Sequence, residues 1–218
     1  MNKQVVSKQR VAAHGEVYTH EREVNAMLDL VKNETERIDS RFLEPACGHG
    51  NFLAEILRRK IAVVNARYGK SQLEWERSAV LAVSSVYGIE LLEDNVLTCR
   101  VRLLQMFETE YEARFGSGCQ RACNEAVRFI LEQNIVWGDA LSFRTVDGTH
   151  QPLVLPEWSL ASGSFLKRRD FMFSFLVEQT HQFALFNDQN EPASISQPVR
   201  DYPLVHFLEV GQLEPQTA

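Results

Sequence analysis

Phe42-Leu43-Glu44-Pro45-Ala46-Cys47-Gly48-His49-Gly50-Asn51-Phe52-Leu53 is the stretch from which the fold of this chain is read. A short apolar run, Phe42-Leu43, meets an acid, Glu44. Two glycines one residue apart then precede Asn51, a good helix-capping residue, and an amphipathic run with Phe52, Leu53, Ile56 and Leu57 on one face. This order predicts strand, tight loop, helix. Glycine has no Cβ, so the backbone can turn sharply and a ligand can come close. The N–H groups of the first helical turn have no partner inside the helix and favour a polar or anionic ligand group. An acid at the end of the strand acts in the opposite sense. It would repel a pyrophosphate and suits a ligand that carries a cationic amine.

Working outward, helix and short strand alternate as far as residue 141. Upstream, His14–Glu23 reads as a loop entering a helix over about Glu21–Asn33, with Thr19 as its cap. Arg22 stands where a capping box would need Glu or Gln. Downstream, helices are expected over 51–66, 73–85, 94–115 and 119–133, with strands at Val86–Glu90 and Asn134–Trp137. That layout predicts an α/β fold: an open, mainly parallel sheet, helices on both faces, and a ligand crevice at the strand C-termini. Beyond Leu141 the texture changes. Asp147-Gly148 signals a hairpin turn. A strand across Pro152–Pro156, a second hairpin from Trp158 to Arg169, a helix over Phe171–Phe186 and a last strand at Leu204–Val210 follow. Residues 1–141 are therefore read as the ligand-binding core with an N-terminal helical segment. Residues 142–218 are read as the C-terminal part of the same domain.

Composition sets the bounds. The 218 residues can bury one sizeable core, and 44% apolar with 24% charged residues is ordinary for a globular chain. A net charge of -6 excludes the basic whole-chain footprint of a nucleic-acid binder, so any such contact must be local. No apolar run reaches the roughly 18 residues of a membrane span. The first ten residues, MNKQVVSKQR, lack the apolar core of a signal peptide, so a cytoplasmic chain without a membrane partner is expected. Four cysteines in a chain of this length do not make a disulfide framework. Cys119 and Cys123 lie four apart, but no second Cys or His pair follows, and no metal site is expected.

Three acids stand at or just beyond the ends of successive strands: Glu44, Glu90 and Asp139. A nucleoside across the sheet would give each a separate task. Glu44 faces the ligand's amino group. Glu90 accepts from both ribose hydroxyls. Asp139 accepts from the adenine amine, and Ile89 or Leu91 packs on the base. The spacing from the glycine loop to Glu90 is about twice the usual ~20 residues, which an inserted helix explains. The set points to S-adenosylmethionine, whose methionine end carries an ammonium.

Phe42–Leu53 closely resembles the cofactor motif of the N6-adenine DNA methyltransferases of restriction–modification systems, D/E-P-A-C/S-G-x-G-x-F/L. His14-Gly-Glu-Val-Tyr-Thr19 is similar to the G-x-x-Y/F-T-P segment that precedes it in that family, with His20 in place of the final Pro. Gly88-Ile-Glu90 and Trp137-Gly-Asp-Ala140 are similar to its second and third motifs. The resemblance covers about residues 14–141. It implies a Rossmann-like S-adenosylmethionine-dependent methyltransferase fold, here in a shortened form. It also implies that Tyr18 and Thr19 line the methionine side of the cofactor. Glu44, Pro45, Ala46, Gly48, Gly50 and Asn51, with Phe52 opening the helix, hold the amino acid. Glu90 holds the ribose and Asp139 the adenine.

The family's catalytic D/N/S-P-P-Y/F/W does not occur in the sequence. The nearest string is Leu155-Pro156-Glu157-Trp158, so Pro156 and Trp158 are the candidate catalytic residues. Trp158 could stack on a flipped base, or it could be a core residue of the hairpin. Leu155 cannot accept the hydrogen bond that the motif's first residue accepts. Lys167-Arg168-Arg169 is the candidate DNA-phosphate contact, against the alternative of a charged hairpin edge. Three readings stay open. One is an adenine-specific DNA methyltransferase. The second is a cofactor-binding but catalytically incomplete subunit of a restriction–modification or phage-defence assembly, with a partner chain for catalysis or target recognition. The third is a methyltransferase with another substrate.

Overall fold

The computed structural model describes residues 19–181 and 197–212. The chain begins with α1 (Glu21–Asp29) and a one-turn α2 (Lys32–Thr35), then enters β1 (Phe42–Glu44). The expected single helix to Asn33 is thus broken at Leu30-Val31. Its cap is His20 rather than Thr19: the Arg22 amide donates to His20 Nδ1 (3.2 Å) and the His20 amide to Glu23 (3.3 Å). Shifting the cap by one residue makes Glu23 the reciprocal acid that the other register lacked.

Two helices separate each pair of parallel strands. α3 (Asn51–Tyr68) and α4 (Gln72–Ser84) lead to β2 (Val86–Glu90). α5 (Glu93–Phe115) and α6 (Arg121–Asn134) lead to β3 (Ile135–Asp139). The strands lie in the order β1-β2-β3, all parallel, and β4 (Arg144–Thr145) adds antiparallel to β3. Leu43 pairs with Tyr87 and Ile89 with Val136, so the alternating side chains define two faces. On one face α3 packs so close that a Cβ on Gly88 would sit 2.8 Å from Cys47 Sγ and 2.9 Å from Leu53 Cδ1. On the other, Ile89 clusters with Leu153, Leu155 and Phe173.

The main core is built around α4, which is buried along most of its length. Trp75 stacks on Tyr111 at 5.1 Å and meets Phe107 and Phe115 of α5. At the start of β1, the buried Lys60 ammonium is held by the Ile38 and Ser40 carbonyls and the Ser85 hydroxyl. Three acceptors are what a buried ammonium needs.

The C-terminal part is a hairpin. β5 (Val154–Ser162) and β6 (Phe165–Met172) pair antiparallel, and α7 (Phe173–His181) follows. β7 (Arg200–Asp201) and β8 (Val205–His206) pair with β6. The expected last strand is mostly a 3-10 turn, Phe207–Gln212, because Phe207 and Val210 bury into the main core instead of extending the sheet. One hydrophobic cluster runs from Val24 to Val210 and includes Trp158 and Leu166 of the hairpin.

Candidate functional site

The strand register brings the three acids to one face of the sheet. Glu44 pairs with Gly88, two residues before Glu90; Glu90 pairs with Trp137, two residues before Asp139. Side chains two apart in a strand share a face. The Cys47 amide donates to the Ile89 carbonyl (3.0 Å), which ties the glycine loop to the end of β2. Gly50, at φ +76°, is the cap of α3, so Asn51 is its first helical residue and not its cap. A Cβ at Gly50 would lie 2.5 Å from Cys99 Sγ, and its left-handed backbone excludes most other residues.

Glu90 is buried, and its carboxylate organises the loop. It accepts from the Gly48 amide (2.7 Å), the Leu92 amide (3.0 Å) and Asn95 Nδ2 (3.4 Å). Glu44 is less well served. Its Oε2 is buried with no hydrogen-bond partner. Burial, and then the charge of Glu90, push its carboxyl up to about 7. An orphaned acid beside a second acid is the place where a cationic group gains most.

This raised carboxyl has a signed consequence for stability. Between about 4.5 and about 7 folded Glu44 keeps a proton that the unfolded chain has lost. Stability therefore falls as pH rises through that window. The effect is roughly 3 kcal/mol. Urea unfolding should show the wild type less stable at pH 8 than at pH 5, and Glu44→Gln should remove most of that difference. An equal difference in the variant would assign the slope to other groups.

Asn51 couples the loop to the upstream segment. Its Nδ2 donates to the Thr19 carbonyl (3.3 Å), and Arg102 Nη1 donates to its Oδ1 (2.6 Å) and to the His49 carbonyl (3.3 Å). Thr19 is thereby placed at the start of α3; Tyr18 lies outside the described residues. Pro45 and Ala46 are exposed at the mouth of the loop, and Phe52 is half-buried against the main core. Asp139 Oδ1 accepts from the Leu141 amide (2.9 Å). That amide and the Ser142 hydroxyl hold its carboxyl below the usual range. Ile89, expected as one of two residues packing on the base, points to the opposite face and is fully buried there.

The residues expected to act on a base are elsewhere. Trp158 is 3% exposed, and its Nε1 donates to Asn134 Oδ1 (2.8 Å). Asn134 directly precedes β3, so Trp158 sits at the opposite end of that strand from Asp139, about 16 Å away at ~3.3 Å per residue. Its ring meets Phe129 edge-on at 6.4 Å and lies 5.3 Å from the Arg168 guanidinium. Pro156 is buried in β5 opposite Asp170. β5 pairs on one side only, which tolerates a residue without an N–H. Both residues are structural where they stand, since neither reaches the crevice.

The basic cluster is likewise used internally. Lys167 pairs with Asp201. Arg168 is buried against Asp170 (2.7 Å), and Arg169 pairs with Glu157 (2.7 Å). Alternation along β6 sends Arg168 into the core and its neighbours outward. Each of the three cations has a carboxylate partner: Arg169–Glu157 crosses from β6 to β5, Lys167–Asp201 from β6 to β7, and Arg168–Asp170 lies within β6.

Trp137 escaped the sequence reading. The signal was present: two residues before Asp139 in a strand means the same face. Two hollows, of about 560 Å³ outside α3 near Arg59 and Arg67 and about 500 Å³ between α3 and α5 near Ile61 and Met106, lie away from the acids. Among the described residues no group of three or more His, Cys, Asp or Glu converges as a metal site requires, and no helix is long and apolar enough to cross a membrane. No family model, no curated protein and no solved structure matches the chain.

Proposed function

We propose that the chain binds S-adenosylmethionine at the C-terminal ends of β1–β3, as the Rossmann-like cofactor module of an adenine-directed DNA methylation system. The observation that carries this reading is the buried, partnerless Glu44 Oε2 beside Glu90, in a glycine loop at a strand end. The residues fit the cofactor. Glu44 offers a carboxylate to an ammonium, and the cation in turn lets that carboxyl ionise near neutral pH. Glu90 offers acceptors to a ribose diol. Three of a carboxylate's roughly four acceptor directions are already used, so the Gly48 amide gives up its bond when the diol arrives. Asp139, already bonded by the Leu141 amide and Ser142, offers its remaining acceptor directions to an exocyclic amine. When bound, the sulfonium supplies an activated methyl group with its own leaving group; the protein's part is to hold and orient.

The same geometry favours an incomplete module over a self-sufficient enzyme. Leu155-Pro-Glu-Trp158 is committed to the hairpin and the core, away from the acids. Base recognition, and any DNA contact, then falls to another chain. Calorimetric titration separates the possibilities when joined to transfer of a tritiated methyl group to unmethylated DNA. The expected result is heat with S-adenosylmethionine, none with NAD, and no transfer by this chain alone. Binding of neither ligand, or of NAD in preference, overturns the cofactor reading. Transfer by the isolated chain overturns the module reading.

A further inference from the structure

We infer that Trp137 is the stacking platform for the adenine ring, a role that rests on the cofactor reading above. Trp137 lies directly opposite Glu90 in the register and two residues before Asp139, so its side chain stands between the ribose and adenine acids on their shared face. The indole is half-buried against the main core, whereas the other two tryptophans are fully enclosed by it. Its Nε1 donates to the carbonyl of Leu91 (3.0 Å), the residue that follows Glu90. That bond lays the ring across the gap between the end of β2 and the end of β3. Leu91 itself is 46% exposed and Leu141, just past Asp139, is 92% exposed. An aromatic ring tethered at its N–H, flanked by two exposed leucines and one carboxylate, has the makings of a purine pocket. The ring and the leucines supply stacking area, and the carboxylate reads an amine. Stacking on an aromatic platform recognises the base itself and is indifferent to the amino acid at the other end of the ligand.

The other two tryptophans make the test selective. Trp75 is fully buried and Trp158 is 3% exposed, so a quencher in water reports on Trp137. S-adenosylmethionine should protect this fluorescence from acrylamide, with the same midpoint as its calorimetric titration. Trp137→Ala should weaken binding about tenfold or more, the range of one lost stack. Trp137→Phe keeps a ring without the N–H and should stay within about threefold of wild type. S-ribosylhomocysteine, which has the ribose and amino acid but no base, should give no protection. If the wild type binds S-adenosylmethionine calorimetrically without protection of the fluorescence, the inference is wrong and the cofactor reading stands. The same holds if the Phe variant loses as much as the Ala variant. If the Ala variant does not fold, the wild-type fluorescence and the Phe variant decide. Absence of any calorimetric binding sinks the cofactor reading, and this inference with it.

Discussion

Glu90→Ala abolishes measurable cofactor binding and weakens the fold at the same time. The carboxylate is the single group that joins the glycine loop, through Gly48, to the turn after β2, through Leu92 and Asn95. Hydrogen bonds to a charged acceptor contribute about 1.5–3 kcal/mol each. Losing two to a ribose diol predicts a drop in affinity of roughly 10²–10⁴-fold. The Gly48 and Leu92 amides then lose their acceptor, which costs about 1–3 kcal/mol of stability for each that stays buried. The variant also relieves Glu44, whose carboxyl the Glu90 charge helps to raise. Its pH-dependent loss of stability should therefore shift to lower pH. Glu90→Gln retains the size and one acceptor oxygen and should recover part of the stability but little of the affinity. Calorimetry with S-adenosylmethionine and urea unfolding measure the two effects separately. Wild-type affinity in Glu90→Ala would remove this acid from the site.

Trp158→Ala gives the complementary result: a large loss of stability with the cofactor affinity unchanged. Truncating a buried Trp costs about 3–5 kcal/mol. Here the hydrogen bond to Asn134 and the contacts with Phe129 and Arg168 go with it. At about 2–4 °C per kcal/mol for a domain of this size, the melting temperature should fall by roughly 6–20 °C. Asn134 keeps its bonds to the Ser84 and Val86 carbonyls, so the entry into β3 should survive at low temperature. A base-stacking Trp158 would behave in the opposite way, with little change in melting and complete loss of methyl transfer by an assembled system.

The parallel core was legible because its signals are local. Glycines and apolar periodicity mark β1, α3, β2 and β3 within a residue or two; that Glu90 and Asp139 share a face needs the register of β2 against β3 as well as the two-residue period. The hairpin expected over Trp158–Arg169 is present but longer: the strand expected at Pro152–Pro156 is the first half of β5, which runs on to Ser162. What the sequence hid was tertiary. Nothing local distinguishes a Trp in an alternating strand that faces a ligand from one that fills a core, and of the two readings open for Trp158 the structure shows the core residue. Lys167-Arg168-Arg169 read as a patch because the sequence could not show their partners Asp201, Asp170 and Glu157. Of these, Asp201 stands more than 30 residues away. The last strand was misread because Phe207 and Val210 fit a buried 3-10 turn as well as a strand.

The proposed cofactor would meet one amide in particular. In a ¹H–¹⁵N spectrum, saturating S-adenosylmethionine should move the Gly48 resonance most, with Leu92 and Leu141 next, since these amides donate to Glu90 and Asp139. Binding seen by calorimetry with Gly48, Leu92 and Leu141 unmoved would contradict the site.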